Sequence, residues 1–154
     1  MQIDKNKAVA VIKGNSKYPE IKGSVIFLQQ YNGVTVAAEV YGLPDQNANC
    51  NGGIFGFHIH EGESCTGNTN DEFADAMRHY NPGGCEHPYH AGDMPPLFSA
   101  GGYAYARFLT NRFTLDEILN KTVIIHSNPD DFTTQPGGNS GDKIACGKIL
   151  RILT

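Results

Sequence analysis

The stretch GVTVAAEVYGL, residues 33–43, alternates with period two. Val34, Val36, Ala38 and Val40 fall on one face, and Thr35, Ala37, Glu39 and Tyr41 on the other. Successive side chains of a strand point to opposite faces, so this pattern makes a half-buried β-strand and is out of step with a helix. The run before it, KGSVIFLQQ (22–30), is apolar and β-branched, and the step between the two carries Asn32-Gly33, a strong hairpin signal. AVAVIKG (8–14), GGYAYARFL (101–109), KTVIIH (121–126) and KIACGKILRI (143–152) have the same strand character, while FTLDEILN (113–120) fits a short helix or a strand. The expectation is an all-β antiparallel sandwich or barrel, and 18 glycines and 8 prolines suit short strands joined by turns.

Two long stretches break this pattern. Residues 61–100 are rich in Gly, Pro, Asn and acidic side chains and read as a loop of about 40 residues, a length that calls for a function or for something to hold it. SNPDDFTTQPGGNSGD (127–142) separates the last two strands. Each loop begins just after a strand that ends in histidine.

At 154 residues the chain is expected to form one domain, 1–154. A net charge of −4 with no cluster of Lys or Arg argues against nucleic acid or an anionic membrane as partner. No apolar run approaches the roughly 20 residues that span a bilayer. The start, MQIDKNKAVAVIKG, has no apolar signal-peptide segment, so the expected compartment is the cytoplasm, with periplasm or secretion expected where a leader had been removed. Four cysteines (Cys50, Cys65, Cys85, Cys146) show no CxxC spacing and permit three pairings; in a cytoplasmic protein four reduced thiols are the plain alternative.

The six histidines are not scattered. His58 and His60 lie two apart on FGFHIHEG and share one strand face. His79, His87 and His90 lie in the long loop, followed by Asp93, and His126 closes the 121–126 strand. A single loop histidine is usually only a solvated side chain. Three imidazoles with an aspartate at short spacing satisfy tetrahedral zinc, and the three strand-end histidines make a second group suited to copper.

With these residues assembled, the chain resembles the copper/zinc superoxide dismutase family from about residue 6 to 152. The matching pieces are FGFHIHEG (55–62), RHYNPGG (78–84), HAGDMPPL (90–97), TVIIHSNPDD (122–131) and GNSGDKIACGKI (138–149), in the family's order. The resemblance implies a Greek-key antiparallel β-barrel, or flattened sandwich, of about eight strands with two long functional loops. It implies disproportionation of superoxide to dioxygen and hydrogen peroxide with copper and zinc as cofactors. Copper would be bound by His58, His60, His79 and His126, and zinc by His79, His87, His90 and Asp93, with His79 bridging the two. Asp130 would link a copper-side and a zinc-side ring through their free nitrogens. Cys65 and Cys146 would form a disulfide. Cys50 and Cys85, which the common family pattern lacks, either form a second bridge or stay as free thiols.

Loop lengths resemble bacterial-type members, so the eukaryotic dimer interface does not carry over, and a homodimer is an open expectation. Where the family places an arginine beside copper, this chain has Lys143, which keeps the charge but loses the planar fork of donors. The implied role of Lys143 is to attract the anionic substrate. A non-enzymatic copper/zinc-binding protein on the same fold is the alternative reading.

Overall fold

The computed structural model describes residues 2–45, 50 and 52–153. Its strands are β1 (Ile3–Gly14), β2 (Lys22–Gln30), β3 (Gly33–Tyr41), β4 (Ile54–Phe55), β5 (Phe57–His60), β6 (Leu97–Ala100), β7 (Tyr103–Thr110), β8 (Thr122–His126) and β9 (Lys143–Leu153). All pair antiparallel, in the order β4-β6-β7-β3-β2-β1-β9-β8-β5. The two ends of this order, β4 and β5, are neighbours in sequence, separated by Gly56 alone. The sheet therefore curls until one short segment serves both edges, giving a nearly closed barrel with Greek-key crossovers, which leaves little exposed edge. At Gly56 the chain leaves one edge for the other: its N–H donates to Asn128 O at 2.8 Å and its C=O accepts from His126 N–H at 2.8 Å.

The period-two expectation holds along β3, where Val34, Val36, Ala38 and Val40 are all fully buried. They meet Ala8, Ala10, Ile12, Val25 and Phe27 from the neighbouring strands, and Phe57 and Ile59 from β5, in one core. Each buried large apolar side chain contributes about 2 kcal/mol of transfer free energy, which is what holds a sheet of this size curled.

Two details differ from the sequence expectation, and the helix-or-strand alternative at 113–120 is decided. The β2–β3 turn places Tyr31 and Asn32 between paired Gln30 and Gly33, so Asn-Gly does not occupy the two central turn positions. Gly33 sits at φ +148, and a Cβ there would lie 2.4 Å from Thr110 O, so glycine is required for close approach of β7. The region read as one loop from 61 to 100 contains strand β6 and a 3-10 turn, Ala74–Ala76. Residues 113–120 hold a short helix, α1 (Leu115–Ile118), because the Glu117 carboxylate accepts from both the N–H and the hydroxyl of Thr114. Leu115 and Ile118 point into the core.

No helix among the described residues is long and apolar enough to cross a membrane. Cys65 and Cys146 are joined as a disulfide that closes 81 residues of chain and staples the long loop to β9. Cys50 and Cys85 are both exposed and unbridged.

Candidate metal centre

The pleat of β5 sends Phe57 and Ile59 into the barrel and His58 and His60 outward. Outward does not mean exposed here, for His58 and His60 are 0% and 2% accessible. The long loop covers them by running back along β5 like an extra strand. Glu61 N–H donates to Arg78 O and Tyr80 N–H to Ile59 O, each at 2.8 Å, while Ile59 N–H donates to Gly92 O at 2.8 Å. His79 thereby lies opposite His60, and Asp93 opposite His58. His126 reaches the same place from the end of β8, where a register shift after Ile125 turns the strand.

Two four-residue groups result, each with ligand atoms within 4.8 Å of one another and every member buried: His58, His60, His79 and His126, and His79, His87, His90 and Asp93. His79 is common to both, and its ring stacks on that of His58 with centroids 3.9 Å apart. These are the residues that the sequence singled out, brought together from three separated segments.

Hydrogen bonds on the far side of each ring decide which nitrogen faces inward. A carbonyl oxygen can only accept, so His60 Nδ1, 2.8 Å from Met77 O, carries the proton and leaves Nε2 as a bare lone pair. His126 Nδ1 faces Gly141 O at 3.4 Å, with the same consequence for its Nε2. These two Nε2 atoms are 3.2 Å apart. On the other side, Asp130 accepts from His58 Nε2–H and from His87 Nε2–H, both at 2.8 Å. That leaves His58 Nδ1 and His87 Nδ1 as lone pairs, and both are buried without a hydrogen-bond partner. His87 Nδ1 lies 3.1 Å from Asp93 Oδ2, an acceptor facing an acceptor. Nδ1 of His79 and of His90 also converge on that carboxylate, at 2.9 and 3.3 Å.

A buried polar atom without a partner costs about 1–3 kcal/mol, and opposed lone pairs add repulsion. Each group has such a contact at its centre, His60 against His126 in one and His87 against Asp93 in the other. A cation in each group relieves both. An all-imidazole set suits copper, and three imidazoles with one carboxylate suit zinc, so the donor chemistry fits a bimetallic centre.

The electrostatics agree. Burial drives the His58 ring down to about 4, against the hydrogen bond to Asp130. It also holds His60 and His126 well below the usual imidazole range, helped by the neighbouring rings. His90 is lowered by burial too. For Asp130 burial opposes ionisation, but the hydrogen bonds from His58 and His87 outweigh it and keep the carboxyl far below the ordinary range. Asp93 follows the same balance, with His79 the main stabiliser of its anion. Neutral imidazoles and ionised carboxylates are the protonation states that bind metal.

Sequence reasoning missed several supports. Gln135, in the second loop, accepts from His87 N–H at 2.9 Å and donates to His87 O at 2.8 Å, clamping that residue's backbone from both sides. Gly138, at φ +71, lies where a Cβ would sit 2.0 Å from Asp130 Oδ1 and 2.6 Å from His87 Nε2, so only glycine admits the bridge. Lys143, expected to attract the anionic substrate, donates to Asp71 Oδ2 at 2.6 Å. GG in the second loop was the one visible signal; the partners of Gln135 and Lys143 lie 48 and 72 residues away and leave no local pattern.

Comparison with known proteins accords with this geometry. A family model described as copper/zinc superoxide dismutase matches residues 21–149. Copper–zinc superoxide dismutase 2 of Aquifex aeolicus is 33% identical over 145 residues, covering 84% of this chain and 80% of that protein. The copper–zinc superoxide dismutase of Legionella pneumophila is 34% identical over 139 residues, 85% and 79% of the two chains. One from Dictyostelium discoideum is 30% identical over 164 residues, with coverage of 95% and 99%. A match over most of the chain, on a barrel whose two histidine groups share one ring, means that the protein belongs to the copper/zinc superoxide dismutase family.

Proposed function

We propose that this protein disproportionates superoxide, turning two superoxide ions and two protons into dioxygen and hydrogen peroxide. Copper would be held by His58, through Nδ1, His60 and His126, through Nε2, and His79. Zinc would be held by His79, His87 and His90 with the Asp93 carboxylate, on which the three Nδ1 atoms converge. The observation that carries this is the pair of facing acceptors, one in each group, with the ring of His79 between them.

Copper bound there would supply a one-electron couple, and zinc a fixed positive charge beside it. The chain's own residues do the rest. Asp130 fixes the tautomers of His58 and His87 together, so the two groups cannot reorient independently. Met77 O and Gly141 O do the same for His60 and His126. His79 borders a cavity of about 580 Å³ shared with His60 and Gly137, so its Nε2, whenever it is free of metal, is placed to take a proton from water and pass it on. The burial of the other rings keeps bulk water away from them.

Loading the protein with copper and zinc and following superoxide consumption tests the reading, with His126→Ala as the control. One copper and one zinc per chain with activity support it. Metal binding without activity supports the non-enzymatic alternative, and activity kept in His126→Ala shows the copper assignment to be wrong.

A homodimer is part of the same proposal. Tyr41, Phe98, Tyr103, Tyr105 and Leu109 stand exposed on β3, β6 and β7, and Tyr41 packs on Tyr103 at 5.0 Å. This outward aromatic face lies on barrel strands rather than on the metal-bearing loops, and suits a second copy. Sedimentation of the wild type beside Tyr105→Lys tests it: a dimer that dissociates in the variant is expected.

A further inference from the structure

We propose that Asp71 is a positioning residue that ties down Lys143 and offsets its charge, and so restrains the approach of anions to the His126 side of the centre. The inference rests on the reading that Lys143 attracts the anionic substrate.

Lys143 Nζ and Asp71 Oδ2 are 2.6 Å apart, with the lysine side chain 18% and the aspartate side chain 38% accessible. The aspartate is not a loose partner. Its other oxygen accepts from Phe73 N–H at 3.0 Å, its N–H donates to Asn68 Oδ1, and its C=O accepts from Asn68 and Ala74 N–H. Phe73 in turn packs in the cluster around the Cys65–Cys146 disulfide. The carboxylate therefore waits in a fixed place, and the flexible lysine comes to it.

The choice of lysine strengthens this capture. A guanidinium spreads its charge over a planar fork, whereas an ammonium concentrates it on one atom, so a carboxylate at 2.6 Å offsets it directly. Lys143 is also backed onto His126, its strand partner in the β8–β9 pairing. Both residues line a cavity of about 350 Å³ together with Lys17, Asp71, Glu72 and Asp142. Two cations face three carboxylates there, and Glu72 is itself engaged by the backbone N–H and the hydroxyl of Ser16. An anion entering by this cavity meets a field that Asp71 tips towards negative. Removing that one charge frees Lys143 and evens the local balance at two against two.

The experiment uses the full chain loaded with copper and zinc, in wild-type, Asp71→Asn, Asp71→Glu and Lys143→Ala forms. Two quantities are read across ionic strength: superoxide consumption, and the dissociation constant of azide from its visible absorption change. Asp71→Asn keeps the acceptor for Phe73 N–H while removing the charge. It is expected to raise the low-salt rate and the azide affinity about two- to threefold, with both gains fading as salt screens them. Asp71→Glu, which retains the charge, should match the wild type, as a merely structural role would not predict. Should Asp71→Asn fold or load poorly, Asp71→Ser keeps a hydroxyl for the same N–H and is read in the same way. Unchanged or lower values in the neutral variant, with Lys143→Ala slower than wild type, overturn the role of Asp71 and leave that of Lys143 standing. A Lys143→Ala protein with wild-type rate and azide affinity overturns the lysine reading, and this inference with it.

Discussion

The Nε2 atoms of His60 and His126 face one another at 3.2 Å, each a lone pair because the opposite nitrogen of its ring points at a backbone carbonyl. With both rings neutral, the state that burial favours, no proton arrangement satisfies this pair without breaking one of those carbonyl contacts, so the fold holds the two rings in a position that a cation stabilises. His126→Ala removes the repulsion and the ligand together. The copper content of the loaded variant should fall to near zero while zinc stays close to one per chain, as read by elemental analysis. Copper retained at the wild-type level would mean that His126 does not belong to the copper set.

Asp130 holds one ring from each group, at 2.8 Å to His58 and 2.8 Å to His87. Replacing it with leucine leaves both Nε2–H groups without an acceptor and both tautomers free. Loss of such an outer carboxylate typically weakens metal binding by about 10–100-fold. Competition with a chelator should show both copper and zinc affinities falling in Asp130→Leu. A drop in only one metal would contradict the coupling.

The clamp of Gln135 on His87 separates geometry from ligation, since Gln135 touches the ligand's backbone and not its ring. Gln135→Glu keeps the acceptor for His87 N–H but sets a carboxylate oxygen against His87 O. Losing that hydrogen bond and the longer one from Gln135 Nε2 to Thr133 O, and adding the clash, is expected to cost about 1–2 kcal/mol. Zinc should dissociate faster from this variant, with copper content unchanged. Identical zinc release in the two proteins would remove Gln135 from the centre.

Stability of the metal-free protein should depend on pH in a definite direction. The folded pKa of His58 is depressed to about 4, and those of His60 and His126 lie well below the ordinary value of 6.5. Between about 4 and 6.5 the unfolded chain thus binds more protons than the folded one, so stability rises with pH through that window and falls as acid is added. A depression of the size seen at His58 corresponds to about 3 kcal/mol once both limits are passed. Asp130 acts in the same sense at still lower pH, because its depressed carboxyl must be protonated on acid unfolding. Urea midpoints of the metal-free chain at pH 7, 5.5 and 4.5 should decline in that order. A flat profile would show that the rings are not held neutral.

The barrel strands were legible because their signal is local: a pleated backbone alternates its side chains whatever it packs against, and Val34, Val36, Ala38 and Val40 announce the buried face by themselves. The metal groups were legible for a chemical reason. Imidazoles and a carboxylate at HxH and HxxHxxD spacing have few other uses, and all six histidines and Asp93 meet in one place. Strand β6 stayed hidden in a stretch without alternation, since it is four residues long and is set by pairing with β7. The curling that makes Ile54–Phe55 and Phe57–His60 the two edges of one sheet has no local mark either.

Residue type and spacing, then, determined which side chains this protein commits to metal. Tertiary structure alone decided which nitrogen of each ring faces inward, that Gln135 grips His87, and that Lys143 is held by Asp71 rather than left free. The physical reason is common to all three. Hydrogen bonds and ion pairs act over about 3 Å in space, and residues tens of positions apart come that close only after the barrel has closed and the loops have folded over it.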